Sequence, residues 1–470
     1  MLEQVWLHPP LAFARLGPSP VPCDNYRWGP SDVSVRGTGK TTVAPEPTLD
    51  LAPDGTLSER LPERVRFKDA DGWRPVCPYF ELHGTWTRDR QRHTGRVTPE
   101  VLAGSGLSLA DVRWVVTVAN FKAHHITRAD GDRIEGHVEF AGDDHRPHNL
   151  NGRSPDGVDR PLVPPGRAVP LGSVQLPAPN RALPELRLRF TPAAGLVYGP
   201  TDLAQRTNRY TLPPEQLVLN ANAVWCGFAL SPDDPRTAPA QLFAGAEIQR
   251  PDGRVVSLGM IDDVCDGLVR VTLPNGLTAA ARIVVGPPDF APDRRPFVSI
   301  ADGLADRVGR ADVRDPAYLA DPWTSWEVRD LFERILETVG AINLDAQIDT
   351  ANLANTFTAF ARSQPLETVG GLNFPHPEPL KGLLLALTER ARRRHRRFVA
   401  LEVLEDVVRE QPDLIDRVIR KPMTEDVYYD RRMPITMRGA DSYPLHLTRR
   451  QYDLLTGWAR TLRAETEEGT

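Results

Sequence analysis

Short apolar runs broken by Pro, Gly and Asp dominate the first three hundred positions, and the period is that of strands. WVVTV (114–118), HVEF (137–140), LRLRF (186–190), RVVSLGM (254–260), LVRVTL (268–273) and ARIVVG (281–286) are β-branched or alternating, as half-buried strands require. LPNG at 273–276 reads as the hairpin turn between two of these runs, and PDGR at 251–254 opens another. The polar, Pro- and Gly-rich stretch 141–185 reads as one long excursion loop. Near residue 300 the period changes. Val328, Leu331, Phe332, Ile335, Leu336 and Val339 recur at helical spacing within 326–345, and 350–362 and 378–420 continue in the same way, Pro412 opening the last of those helices. LTRRQYDLLTGWARTL (447–462) reads as a closing helix with Thr448 as its N-cap. The expectation is therefore an α+β protein: a β-rich domain over 1–300 and a mainly helical part over 301–470.

Composition narrows the class. With 470 residues, 40% of them hydrophobic and 25% charged, the chain can bury a large core in two domains. A net charge of −5 gives no bulk attraction to nucleic acid or to an anionic membrane. The N-terminus lacks the basic start and apolar run of a signal peptide, and no run reaches the length of a membrane span. The four cysteines, Cys23, Cys77, Cys226 and Cys265, lie far apart with no CxxC spacing, which is neither a disulfide framework nor a zinc motif. These features point to the cytoplasm.

Several segments in fixed order resemble the lysine ε-oxidase and glycine oxidase family, amino-acid oxidases that carry a cysteine tryptophylquinone. They are HPPLAFARLGPSP (8–20), FKDADGWRPVCPYFELHG (67–84), WVVTVANFKAHHI (114–126), IDDVCDGLVRVTL (261–273), VVGPPDFAPDRRPFVSIAD (284–302), YYDRRMPITMRGAD (428–441) and LTRRQYDLLTGWA (447–459). The resemblance implies that family's scaffold. Its members deaminate amino acids with O₂, releasing ammonia and hydrogen peroxide, through a Trp-derived quinone crosslinked to a Cys in an Asp-x-x-x-Cys motif. A flavoprotein assists in making that quinone. The carbonyl forms a Schiff base with the amine while a carboxylate removes a carbon-bound proton. The family's catalytic section would follow the closing helix. No cysteine follows Cys265, so no position here takes over the family's crosslinked Cys, its Asp or its Trp.

Other candidates compete. His124, His125, His137, His145 and His148 fall within 25 residues and could bring imidazoles to one transition metal, with Glu139, Asp143 or Asp144 adding a carboxylate. The plainer reading is a set of loop and edge-strand histidines with no ligand, and neighbouring His124 and His125 would point to opposite faces of a strand. Asp262, Asp263 and Asp266 with Gly267 form an acidic turn that suits a cation, or more commonly a strand connection tied by side-chain to backbone bonds. GTGKTT (37–42) lacks the first glycine of a phosphate loop, since Ser34 stands there. ERARRRHRR (389–397) is basic, but without interleaved aromatics it reads as a solvated face or a partner contact more than a nucleic-acid site. Trp323, Trp326 and Trp458 are the tryptophans to consider for oxidation.

Three functions follow as expectations. The first is a subunit of a split amino-acid or amine oxidase, with no cofactor in this chain, the cysteine tryptophylquinone on a partner chain and a flavoprotein in attendance. The second is a cofactor-free binding or assembly protein. The third is a metal-dependent enzyme using the 124–148 histidines. In the first two a partner, or a second copy, meets the C-terminal helical part, where Leu447, Tyr452, Leu455 and Trp458 would face either their own domain or an open groove.

Overall fold

The computed structural model describes residues 1–31, 41–230, 245–289, 292–340, 401–411, 413–422, 437–438, 443–444 and 446–468. The expectations for residues 37–40 of GTGKTT, for helices over 350–362 and 378–400, for Pro412, for the basic run 389–397 and for most of 428–441 lie outside them. The chain is α+β: strands fill its N-terminal region, and helices lie mainly in its C-terminal part. It forms two compact units. One comprises residues 1–26 and 45–290, and the other residues 27–44 and 291–470.

The first unit is built on eleven strands: β1 (Leu2–His8), β2 (Leu11–Arg15), β3 (Tyr79–Arg88), β4 (Gln91–Arg96), β5 (Arg113–Asn120), β6 (Ile134–Ala141), β7 (His148–Gly152), β8 (Val169–Gln175), β9 (Arg187–Thr191), β10 (Asp266–Thr272) and β11 (Thr278–Gly286). A six-stranded sheet runs β1-β3-β9-β8-β7, with β4 paired to β3, and a five-stranded sheet runs β6-β5-β10-β11-β2. All pairings in these sheets are antiparallel except β2 with β11. Strand β5 shows the alternation cleanly. Trp114, Val116, Val118 and Asn120 are buried while Arg113, Val115, Thr117 and Ala119 are not, the two-residue period expected of a sheet with one buried face. One continuous core takes Leu7, Phe80, Leu82, Leu188 and Phe190 from one sheet and Trp114, Val116, Val269, Val271 and Ile283 from the other.

The hairpin expected at LPNG joins β10 and β11, and the Gly276 amide donates to the Leu273 carbonyl at 3.0 Å. Gly276 sits at φ +82, where an L side chain is strained. PDGR likewise turns between short strands Glu247–Gln249 and Val255–Ser257. Most of the stretch 141–185 is loop as expected, but His148–Gly152 and Val169–Gln175 within it form the β7–β8 pair, which completes the six-stranded sheet. Leu150, Val169, Leu171 and Val174 are buried there, so tertiary packing overrides the poor strand propensity of HNLNG and VPLGSVQ.

The second unit is mainly helical among its described residues, with α2 (Ile300–Val308), α3 (Pro322–Gly340), α4 (Leu401–Glu410) and α5 (Arg449–Glu468) beside short strand pairs such as Met437–Arg438 with Tyr443–Pro444; α1 is the short helix Lys122–Thr127 of the first unit. Val328, Leu331, Phe332 and Ile335 face the core as their spacing predicts, and Leu454, Leu455, Trp458 and Leu462 of α5 meet them in one cluster. Thr448 caps α5. Its hydroxyl accepts from the Gln451 amide at 3.1 Å, and the Gln451 side chain accepts from the Thr448 amide at 3.0 Å, a reciprocal capping box. No helix among the described residues is long and apolar enough to cross a membrane.

Candidate functional site

The five histidines are spread over several elements. His124 and His125 stand on helix α1 rather than on a strand, because β5 ends at Asn120, whose side-chain oxygen accepts from the Lys122 amide at 3.1 Å and turns the chain. His124 donates through Nδ1 to the Ala129 carbonyl at 2.9 Å, and His125 is exposed. His137 is exposed on β6, its Nδ1 3.2 Å from the Thr117 hydroxyl. His145 has Nδ1 3.2 Å from the Leu176 carbonyl. His148 stacks on Phe140 with ring centroids 4.3 Å apart, and its Nε2 lies 3.3 Å from an Asp144 oxygen. Phe140 and His137 are an odd number of residues apart on β6, so His137 points away from the face that His148 covers. His148 and Asp144 are thus brought together, while His145 turns to the Leu176 carbonyl. Asp144 is held down at about 2, chiefly by its hydrogen bonds from Arg146. Among the described residues no group of three or more His, Cys, Asp or Glu side chains is set to hold a metal.

The acidic turn is tied to its surroundings by hydrogen bonds and an ion pair. Asp262 is fully buried and pairs with Lys122 Nζ at 2.5 Å, while Asn120 Nδ2 donates to the Asp262 carbonyl at 2.8 Å. Asp263 Oδ2 accepts from the amides of Gly195 at 3.0 Å and Leu196 at 2.8 Å. Its Oδ1 is buried with no partner, and burial pushes its carboxyl up to about 6. This is the strand-connection reading of the turn, with the cation supplied by Lys122.

Burial raises all four thiols above their usual range, Cys23 and Cys77 to about 11 and Cys226 to about 12, which disfavours their thiolates. All four belong to the first unit, whereas Trp323, Trp326 and Trp458 belong to the second. Trp458 is buried and donates through Nε1 to Ser325 Oγ at 3.3 Å.

The alternative of an open groove along α5 is closed off by the unit's own core. Leu447, Leu455 and Trp458 are buried and Tyr452 is half-buried, its hydroxyl donating to Asp416 at 2.8 Å. A different groove, of about 740 Å³, lies between α2 and α3 in the same unit. Ser299 caps α2 in a capping box with Asp302, and Asp321 accepts from the Trp323 amide at 2.7 Å at the start of α3. Trp323 and Trp326, three apart on α3, stack at 5.2 Å between centroids and stay 62% and 56% exposed. Helix α2 buries none of its residues. Its apolar positions Ile300, Leu304 and Val308 are exposed, Val308 at 92%. Beneath the tryptophans, Arg450 pairs with Glu327 and Asp312, each at 2.6 Å. Tyr318 donates to Glu327 at 2.7 Å. Trp326 lies on the side of α3 opposite the buried Val328, Leu331 and Ile335, and Trp323 shares a stripe with Glu327, Asp330 and Arg334.

No protein-family model matches this chain, and no curated protein does. Among solved structures it is similar to the L-Lys epsilon-oxidase from Marinomonas mediterranea. One structure is 15% identical with a TM-score of 0.33, over 64% of this chain and 38% of that one. A second is 14% identical with a TM-score of 0.43, over 97% of this chain and 61% of that one. The likeness is distant, and this chain spans less than two thirds of either oxidase chain.

Proposed function

We propose that this protein is a binding subunit on a lysine ε-oxidase-like scaffold, and that its role is to hold a partner polypeptide. The observation that carries this is in the second unit. Its apolar cluster already draws in Trp458, Leu454 and Leu455, yet α2 leaves Ile300, Leu304 and Val308 exposed, and Val308 lines one groove with an exposed tryptophan pair. Contiguous exposed apolar groups rimmed by charge mark interaction surfaces. The sequence resemblance supplies the finer form of the proposal: the partner bears the quinone section of an amino-acid oxidase, and the two chains together are active. Co-expression with a chain carrying an Asp-x-x-x-Cys section, followed by co-purification and a peroxide assay on amino acids, tests both levels. A complex that oxidises an amino acid, when neither chain does so alone, supports the split oxidase. A stable complex without activity supports an assembly role only. No complex at micromolar concentration refutes the quinone-bearing partner.

A further inference from the structure

We propose that the groove between α2 and α3 docks a basic segment of another protein, a stretch in which Arg or Lys alternates with an apolar side chain. This rests on the binding-subunit reading and names the chemistry of the partner. Four carboxylates, Asp302, Asp312, Glu327 and Asp330, line the groove against two guanidiniums, Arg334 and Arg450. Depth separates the two signs. Arg450 is 13% exposed while its partners Glu327 and Asp312 are 28% and 42% exposed. Arg334, 14% exposed, pairs with Asp302, 19% exposed, at 2.9 Å and with Asp330, 31% exposed, at 3.0 Å. Glu327, Asp312 and Asp330 are thus the more exposed charges, and the lining carries four carboxylates against two guanidiniums. An acidic segment would be repelled there, and a purely apolar one would strip water from carboxylates without replacing it.

The aromatic pair sharpens the match. An indole face attracts a guanidinium or ammonium placed over it, and the Trp323–Trp326 stack presents such faces to solvent within reach of the acidic rim. Ala301, Ala305 and Val308 on the facing wall offer an apolar seat for the neighbouring side chain. A small amine would stay largely wet between walls this exposed. An extended segment gathers contacts along the whole groove.

The test uses the full chain and two fluorescein-labelled hexapeptides, one alternating Arg and Leu and the other Glu and Leu, followed by anisotropy at low and physiological salt. The expected result is saturable binding of the Arg–Leu peptide, weakened by salt, with none for the Glu–Leu peptide. Trp323→Ala combined with Trp326→Ala should weaken binding at least about tenfold, as loss of aromatic anchors does, with far-UV circular dichroism unchanged. Asp312→Asn should weaken it by a smaller factor. Equal binding of both peptides, no binding of the Arg–Leu peptide, or unchanged binding in the double-tryptophan variant would overturn the proposal. The partner complex described above separates the two readings. If it survives in the double variant, the binding-subunit reading stands and the groove is not its site. If the wild-type chain forms no such complex yet binds the Arg–Leu peptide through the tryptophans, the groove proposal stands without an oxidase-type partner.

Discussion

Asp263→Asn should change how the stability of this protein depends on pH. Asp263 is 1% exposed, and its pKa rises from an ordinary 3.8 to about 6. Burial is the main cause. The two amide donors, Gly195 and Leu196, oppose the rise, and the Asp262 charge adds to it. A raised folded-state pKa on an acid means that the neutral form suits the fold. The contribution is fully present below the unfolded value and is lost as pH rises through the folded one. At about 1.4 kcal/mol per unit, the shift corresponds to about 3 kcal/mol. Asn keeps an oxygen for the two amides and has no charge to lose. Between about pH 4 and pH 7 the wild type should therefore lose about 3 kcal/mol relative to the variant. Urea unfolding of both proteins across that range, compared as a difference, isolates Asp263 from the other carboxylates. A difference that stays flat with pH, or a wild type that gains on the variant as pH rises, would refute the reasoning.

Other outcomes follow from the same structure. Lys122→Met leaves Asp262 buried without its counter-charge and should cost about 3–5 kcal/mol in chemical denaturation; a loss below about 1 kcal/mol would mean that the carboxyl takes up a proton at little cost. Trp458→Ala should destabilise by about 3–5 kcal/mol, as truncating a large buried aromatic does, whereas Trp326→Ala, at an exposed position, should stay within about 0.5 kcal/mol; thermal unfolding of both variants checks this. Elemental analysis of the dialysed protein should find far less than one equivalent of transition metal, and a full equivalent that disappears in His137→Ala with His145→Ala would restore the metal-enzyme reading.

Much of the fold is legible where one local rule suffices. The RWVVTVAN alternation locates β5 because its two faces meet different surroundings. Thr448 and Gln451 announce the start of α5 because a capping box is a local bond set. The β7–β8 pair is not legible. Asn149, Asn151, Gly152, Pro170 and Gly172 hide it, and only the sheet that receives Leu150 and Leu171 makes strands of it. The turn into α1 is missed for a related reason, since the Asn120 side chain converts a strand end into a helix start. At the groove, composition gives the tryptophans but not their exposure. Arg450 reaches Glu327 and Asp312 across more than a hundred residues of chain, a distance that no spacing rule spans.

The segments that most resemble a family are also the ones whose polar groups are already committed. ANFKA supplies Asn120 and Lys122, and IDDVCDG supplies Asp262 and Asp263; folded, the two lock each other into a buried network. Cys265, within the second segment, is buried and donates to the Leu171 carbonyl at 3.4 Å. Such groups carry a recognisable pattern because a buried charge tolerates few replacements, and that holds whether or not chemistry occurs nearby. The groups still open to a ligand, Trp323, Trp326 and Val308, belong to no motif. An exposed binding face is constrained by its partner, and one chain's pattern cannot display that constraint. The resemblance therefore rests on residues whose polar groups the fold has already tied together, and it is silent about the exposed groove.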